Sequence, residues 1–196
     1  MKFERHKLTC AEERYAFLII VILHLLVKWF WVQGKVAPHI YNDEHIYFNS
    51  AKAIFMGTNF FNEYYPPLYS FVLSPAMLFG KAAYQWALNI NVIVSSLVLL
   101  PIWAIAREFT GKYNGLVCVA VAATFSFHAI YPLLLFSENL YLPLFLVAFY
   151  LLVSDWQDNK RYKSILLGAV LALCQLTRHM NWVVLMVYTL LWYAKP

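Results

Sequence analysis

Residues 82–106, AAYQWALNINVIVSSLVLLPIWAIA, contain no Asp, Glu, Lys or Arg. Wound as a helix, such a stretch reaches about 37 Å at 1.5 Å per residue, more than the roughly 30 Å of a bilayer's hydrocarbon core. Further uncharged runs flank it at 15–27, 64–80, 113–137, 139–154, 164–177 and 179–194. The 196 residues are 62% hydrophobic, 18% aromatic and only 13% charged, with a mean hydropathy of +0.60. Soluble domains are about 45–50% apolar and about 25% charged. Disorder, a collagen-like fibre and a secreted disulfide scaffold are excluded, since each needs more charge, more Gly and Pro, or more Cys. The expected fold class is all-α, a polytopic transmembrane helical bundle. The net charge of +5 bears on orientation in the bilayer, and no nucleic-acid partner is expected.

Tyr15 to Val32 reads as the first span, with Lys28 snorkelling to the headgroups beside Trp29 and Trp31. Lys2, Arg5, Lys7 and Arg14 precede it like a signal-peptide n-region, but the run is long and lacks a small-residue cleavage site. It reads as a retained anchor. Residues 66–80 are short for a span and carry Pro66, Pro67 and Pro75. If they lie at the interface, spans run 15–33, 84–106, 115–135, 139–154, 163–177 and 181–194. Ten Lys and Arg then fall inside, against six if 66–80 crosses, and the positive-inside bias favours the first arrangement. The expected organisation is a cytoplasmic tail at 1–14 and a six-span module at 15–196. Its first outer loop, 34–83, carries interfacial helices. Cys10, Cys118 and Cys174 are too scattered for a disulfide framework or a thiolate metal site. No internal repeat stands out.

Ionisable groups near membrane depth are candidate functional sites. On this topology Asp43, Glu44, Glu63, Glu138, Arg178 and His179 all face the outer side. Each has a plainer reading: Asp43 as a helix N-cap, Asp43–Glu44 or Glu63 as solvated loop charges, Glu138 as an interfacial acid reaching water, Arg178 as a snorkelling helix end. His24, His128 and His179 are spaced too irregularly for a metal site, and none is predicted.

Several segments, in order, resemble the GT-C superfamily of membrane glycosyltransferases. The nearest likeness is to the phospholipid-carrier-dependent branch of protein O-mannosyltransferases and lipid A aminoarabinose transferases. The segments are Asn42-Asp43-Glu44, Tyr65-Pro66-Pro67-Leu68-Tyr69, Leu78-Phe79-Gly80, Ala104-Ile105-Ala106-Arg107-Glu108, Ser137-Glu138-Asn139-Leu140 with Pro143-Leu144, and Leu176-Thr177-Arg178. The likeness covers about 15–194. Relatives in the aminoarabinose branch read Glu-Lys-Pro-Pro where this chain has Glu63-Tyr64-Tyr65-Pro66-Pro67. The chain looks like the N-terminal module of such enzymes alone, whether as a fragment, a split subunit or a short form.

The resemblance implies transfer of a sugar from a polyprenyl-phosphate donor to an acceptor on the extracytoplasmic face of a cell membrane, with the N-terminus cytoplasmic. Asp43 is the expected base, with Glu44 or Glu138 orienting the acceptor. Arg178 is expected on the leaving phosphate, helped by His179 and Lys52. Glu63, Tyr64, Tyr65 and Tyr69 are expected along a groove for lipid and acceptor, although ordinary aromatic-belt anchoring also explains the tyrosines. No cofactor is predicted, although some branches of the family that the chain resembles use a divalent ion. Expected partners are membrane lipid, the lipid-linked sugar, an acceptor of unspecified class, and a second chain supplying further spans. The alternatives are a non-catalytic subunit that binds lipid-linked sugar or scaffolds a partner, and a small transporter or flippase. Transporters usually hold polar groups at the midplane of repeated halves.

Overall fold

A computed structural model describes residues 9–35, 42–59, 64–125, 133–158, 161–179 and scattered positions between 182 and 189. The described residues are helical, with no strand among them. The elements are α1 (Cys10–Val32), α2 (Asn42–Phe55), α3 (Leu68–Leu73), a 3-10 segment (Ser74–Ala82), α4 (Ala83–Ser96), α5 (Leu99–Thr110), α6 (Lys112–Thr124), α7 (Glu138–Asp158) and α8 (Arg161–Thr177). Two helical stretches are long and apolar enough to cross a membrane, Cys10–Val32 and the run Leu68–Thr110, while Glu138–Ser154 is apolar but shorter. The expected sixth span, 181–194, lies mostly outside the described residues.

Helix α1 starts earlier than the uncharged run does. Thr9 and Glu12 form a capping box, with Glu12 N–H donating to Thr9 Oγ1 (3.2 Å) and Thr9 N–H to Glu12 Oε2 (2.8 Å). Its faces are inverted relative to a soluble helix. Glu13, His24 and Lys28 are buried, whereas Leu18, Ile22, Leu26 and Phe30 are exposed. That arrangement suits a helix whose outer face meets lipid and whose polar groups turn into the bundle. Lys28 corrects the snorkelling expectation: it is only 2% exposed and donates to Ser95 Oγ (3.1 Å) and Ser96 Oγ (3.4 Å) on α4. Those hydroxyls in turn donate to the Val92 carbonyl, so a polar cluster fastens α1 to α4.

The expected second span is two helices. Pro101 has no N–H for the Leu97 carbonyl, which instead accepts from Leu100 N–H (3.1 Å). The helix breaks at 97–98 and resumes as α5. Together α4 and α5 run antiparallel to α1. At one end Gln85 Nε2 donates to the Val32 carbonyl (3.0 Å); at the other Arg107 Nε pairs with the buried Glu13 carboxylate (2.8 Å). Phe17 stacks on Trp103 between these ends, with centroids 4.5 Å apart. Gly111 (φ 83°, ψ 174°) makes the reversal into α6. A Cβ on Gly115 would stand 3.1 Å from the Arg107 backbone, so a larger residue there would push α5 and α6 apart by a few tenths of an ångström.

Helices α7 and α8 form an antiparallel hairpin over Ala148, Leu151, Leu167, Val170, Leu171 and Cys174. The Lys163 ammonium donates to the Ser154 hydroxyl near the turn. The start of α7 therefore lies beside the end of α8. At the Val32 end of the bundle, α2, α3 and the 3-10 segment pack on α4 around Tyr69, Leu73, Leu88 and Leu135.

Candidate active site

Each helix delivers its charge where its own dipole favours it. Asp43 and Glu44 stand in the first turn of α2 and Glu138 in the first turn of α7, where unpaired backbone N–H groups attract carboxylates. Arg178 follows the last turn of α8, its backbone N–H donating to the Cys174 carbonyl (2.9 Å), where a cation is favoured. The antiparallel α7–α8 hairpin brings these opposite ends together, and Arg178 forms an ion pair with Glu138.

One cavity of about 500 Å³ collects the result. Asp43 and Tyr47 of α2 form one wall, Tyr64, Tyr65 and Pro66 before α3 another, and Ser137, Glu138, Arg178 and His179 the third. Tyr65 donates its hydroxyl to Asp43 Oδ1 at 2.7 Å, which fixes the carboxylate's direction. That bond, with a small contribution from burial, raises the Tyr65 pKa. Tyr47 is pushed up to about 12 by burial, with a hydrogen bond to Ser137 opposing. Both phenols therefore remain donors at neutral pH. Tyr47 also packs edge-on against Tyr65 and Tyr69, with centroids 5.4 and 5.0 Å away.

Glu44, Lys52 and Tyr69 do not line this cavity. The Glu44 carboxylate is fully buried, accepting from Tyr84 Oη (2.6 Å) and from Leu135 N–H (3.1 Å). It ties α2 to α4 and to the turn that launches α7. Tyr69 is fully buried and donates to Asn91 Oδ1 (2.8 Å), while Asn91 donates to the Leu134 carbonyl (2.9 Å) in the same turn. Lys52 is exposed, about 13 Å along α2 from Asp43 at 1.5 Å per residue. Glu63 lies outside the described residues. Tyr47 enters the site without having been singled out in the sequence, and Ser137, named there only within the Ser137–Leu140 segment, had been given no role. Tyr47 follows Asp43 by four residues, hence on the same helix face, and Ser137 immediately precedes Glu138.

Glu44 carries a prediction about the scaffold. Glu44→Ala leaves a buried N–H and a buried phenol without their acceptor, which costs about 2–4 kcal/mol. Thermal unfolding in detergent should show a midpoint several degrees lower, with Glu44→Gln losing less.

The family model of dolichyl-phosphate-mannose-protein mannosyltransferases matches residues 65–195, about two thirds of the chain. Tyr65, Glu138, Arg178 and His179 fall within the match, whereas Asp43 lies about twenty residues before its start. No curated protein matches the chain, and no solved structure does. The chain thus belongs to the dolichyl-phosphate-mannose-protein mannosyltransferase family, a family of GT-C-type membrane glycosyltransferases.

Proposed function

We propose that this chain forms the catalytic face of a transferase that moves a sugar from a polyprenyl-phosphate donor to a hydroxyl-bearing acceptor on the extracytoplasmic side of the membrane. The reading is supported by the shared cavity of Asp43, Glu138 and Arg178. Asp43 takes the proton from the acceptor oxygen as that oxygen attacks the anomeric carbon, and Tyr65 holds the carboxylate in line. The glycosidic C–O bond breaks towards the carrier phosphate, whose growing negative charge is met by the Arg178 guanidinium. Glu138 keeps that guanidinium oriented until the phosphate arrives. His179 assists at the phosphate, and Tyr64 borders the path of the prenyl tail. Glu44 acts at a distance as a positioning residue, and Lys52 lies too far along α2 to reach the donor. The bundle crosses the membrane as six spans with its N-terminus cytoplasmic.

The test is photolabelling of the full chain in membranes with a polyprenyl phosphate carrying a diazirine near its first isoprene. Label on the peptides containing Tyr64–Pro66 and Glu138, displaced by polyprenyl phosphate but not by the matching prenol, supports the assignment. Equal displacement by the prenol means that the phosphate is not recognised, and contradicts it.

A further inference from the structure

A second cavity, of about 450 Å³, opens at the Glu13 end of the bundle between the α5–α6 reversal and α7. Glu13 and Val32 stand about 28 Å apart along α1, so this cavity and the Asp43 cavity occupy opposite ends. Its volume falls within the range of small-ligand sites, about 300–1,000 Å³. Arg107, Glu108 and Lys112 supply its charges, and Trp103 and Tyr150 its aromatic walls. Phe109 and Tyr113, either side of the Gly111 reversal, are 63% and 70% exposed. Aromatic side chains in that setting mark the level where lipid tails give way to headgroups.

The charges are balanced in an informative way. Arg107 is anchored twice, by Glu13 through Nε (2.8 Å) and by the Trp103 ring (5.6 Å to its centroid). A guanidinium has five donors, so the Glu13 ion pair, made through Nε, leaves the Nη groups for an anion. Lys112 Nζ approaches Cys10 Sγ at 3.1 Å and has no carboxylate partner among the described residues. Glu108 likewise has no ion-pair partner among them. Glu13 is buried behind Arg107 and does not line the cavity, so a ligand there meets two cations and one carboxylate, Glu108, a set that suits a ligand bearing both signs better than a purely anionic one.

The geometry points to a binding site here for the headgroup of a phospholipid that carries a primary amine, with its phosphate on Arg107 and Lys112 and its ammonium on Glu108. Primary ammonium donates charge-assisted hydrogen bonds to a carboxylate; a quaternary choline has no N–H, and a glycerol headgroup has no positive charge. The site is separate from the transfer cavity and stands whether or not that cavity transfers sugar.

The experiment delipidates the full chain in detergent and titrates it with short-chain phosphatidylethanolamine, phosphatidylcholine, phosphatidylglycerol or inorganic phosphate, reading bound species by native mass spectrometry. Phosphatidylethanolamine should bind about tenfold more tightly than the other two lipids, the worth of one charge-assisted bond. Inorganic phosphate should not displace it. Glu108→Gln, at an exposed position, should abolish the preference while retaining binding. Lys112→Gln should weaken all three lipids several-fold. Equal binding of the three lipids, an unchanged preference in Glu108→Gln, or displacement by inorganic phosphate would each overturn the assignment.

Discussion

Asp43→Asn should lower sugar transfer by about 10²–10⁴-fold, the usual contribution of a positioned general base, with membrane insertion and thermal midpoint unchanged. The substitution is discriminating because Asp43 is exposed and its Oδ1 contact is one that an asparagine oxygen also accepts. The Tyr65 hydroxyl, 2.7 Å away, keeps its partner, so geometry survives and only basicity is lost. The measurement is initial rate in proteoliposomes supplied with a labelled polyprenyl-phosphate sugar and an acceptor preparation, with detergent melting as the control. Wild-type transfer by Asp43→Asn would remove Asp43 from the mechanism. The Tyr65 contact adds a pH signature. Its pKa is raised in the folded chain, so the contact is fully present below the ordinary tyrosine value of about 10 and is lost as pH rises through the raised value. Activity should therefore fall on that alkaline limb, and Tyr65→Phe, which lacks the contact at every pH, should lower the neutral-pH rate several-fold and remove the limb.

Arg178→Ala should reduce transfer by about 10²–10³-fold, the scale of a removed transition-state donor, and weaken donor binding at the same time. Two effects combine. The phosphate loses a pair of charge-assisted hydrogen bonds, and Glu138, its partner gone, presents a carboxylate to an incoming anion. The second effect is separable. Glu138→Gln in the Arg178→Ala background should recover part of the donor affinity but little of the turnover. Arg178→Lys should keep some affinity as a point charge without the paired geometry. Both side chains of the ion pair are about one-third exposed, so breaking it should barely move the thermal midpoint. Rates measured over a range of donor concentrations separate KM from kcat. A loss confined to protein abundance, with KM and kcat intact in the folded fraction, would make the ion pair structural.

Glu138 and Arg178 were legible because they stand alone. Glu138 interrupts uncharged residues from Tyr113 to Ser154, and Arg178 with His179 separates two uncharged runs. What local sequence does not carry is direction. Asp43 and Glu44 are adjacent, but successive helical residues point about 100° apart. One faces the cavity while the other turns inward to Tyr84 and Leu135, partners 40 and 91 positions away. Lys28 is a similar case: snorkelling is the local expectation, and Ser95 and Ser96 on a distant helix reverse it. Other features were written locally but masked by the hydrophobic signal. Thr9-x-x-Glu12 is a capping box that starts α1 before its first uncharged run. Pro101 foretells the break at 97–98, which uninterrupted hydrophobicity conceals. Tyr47, one turn beyond Asp43, was available from helical periodicity alone.

The transfer reaction proposed here requires that Asp43, Glu138 and Arg178 surround one external pocket for a lipid phosphate, an arrangement open to direct test. Its most direct measurement is the labelling rate of single cysteines at 43, 138 and 178, in a background with Cys10, Cys118 and Cys174 replaced by serine, using a membrane-impermeant maleimide on sealed vesicles of known orientation. All three positions should label from the extracytoplasmic side, and polyprenyl phosphate should slow each of them. Labelling of position 138 or 178 only from the face opposite to position 43 would contradict that arrangement.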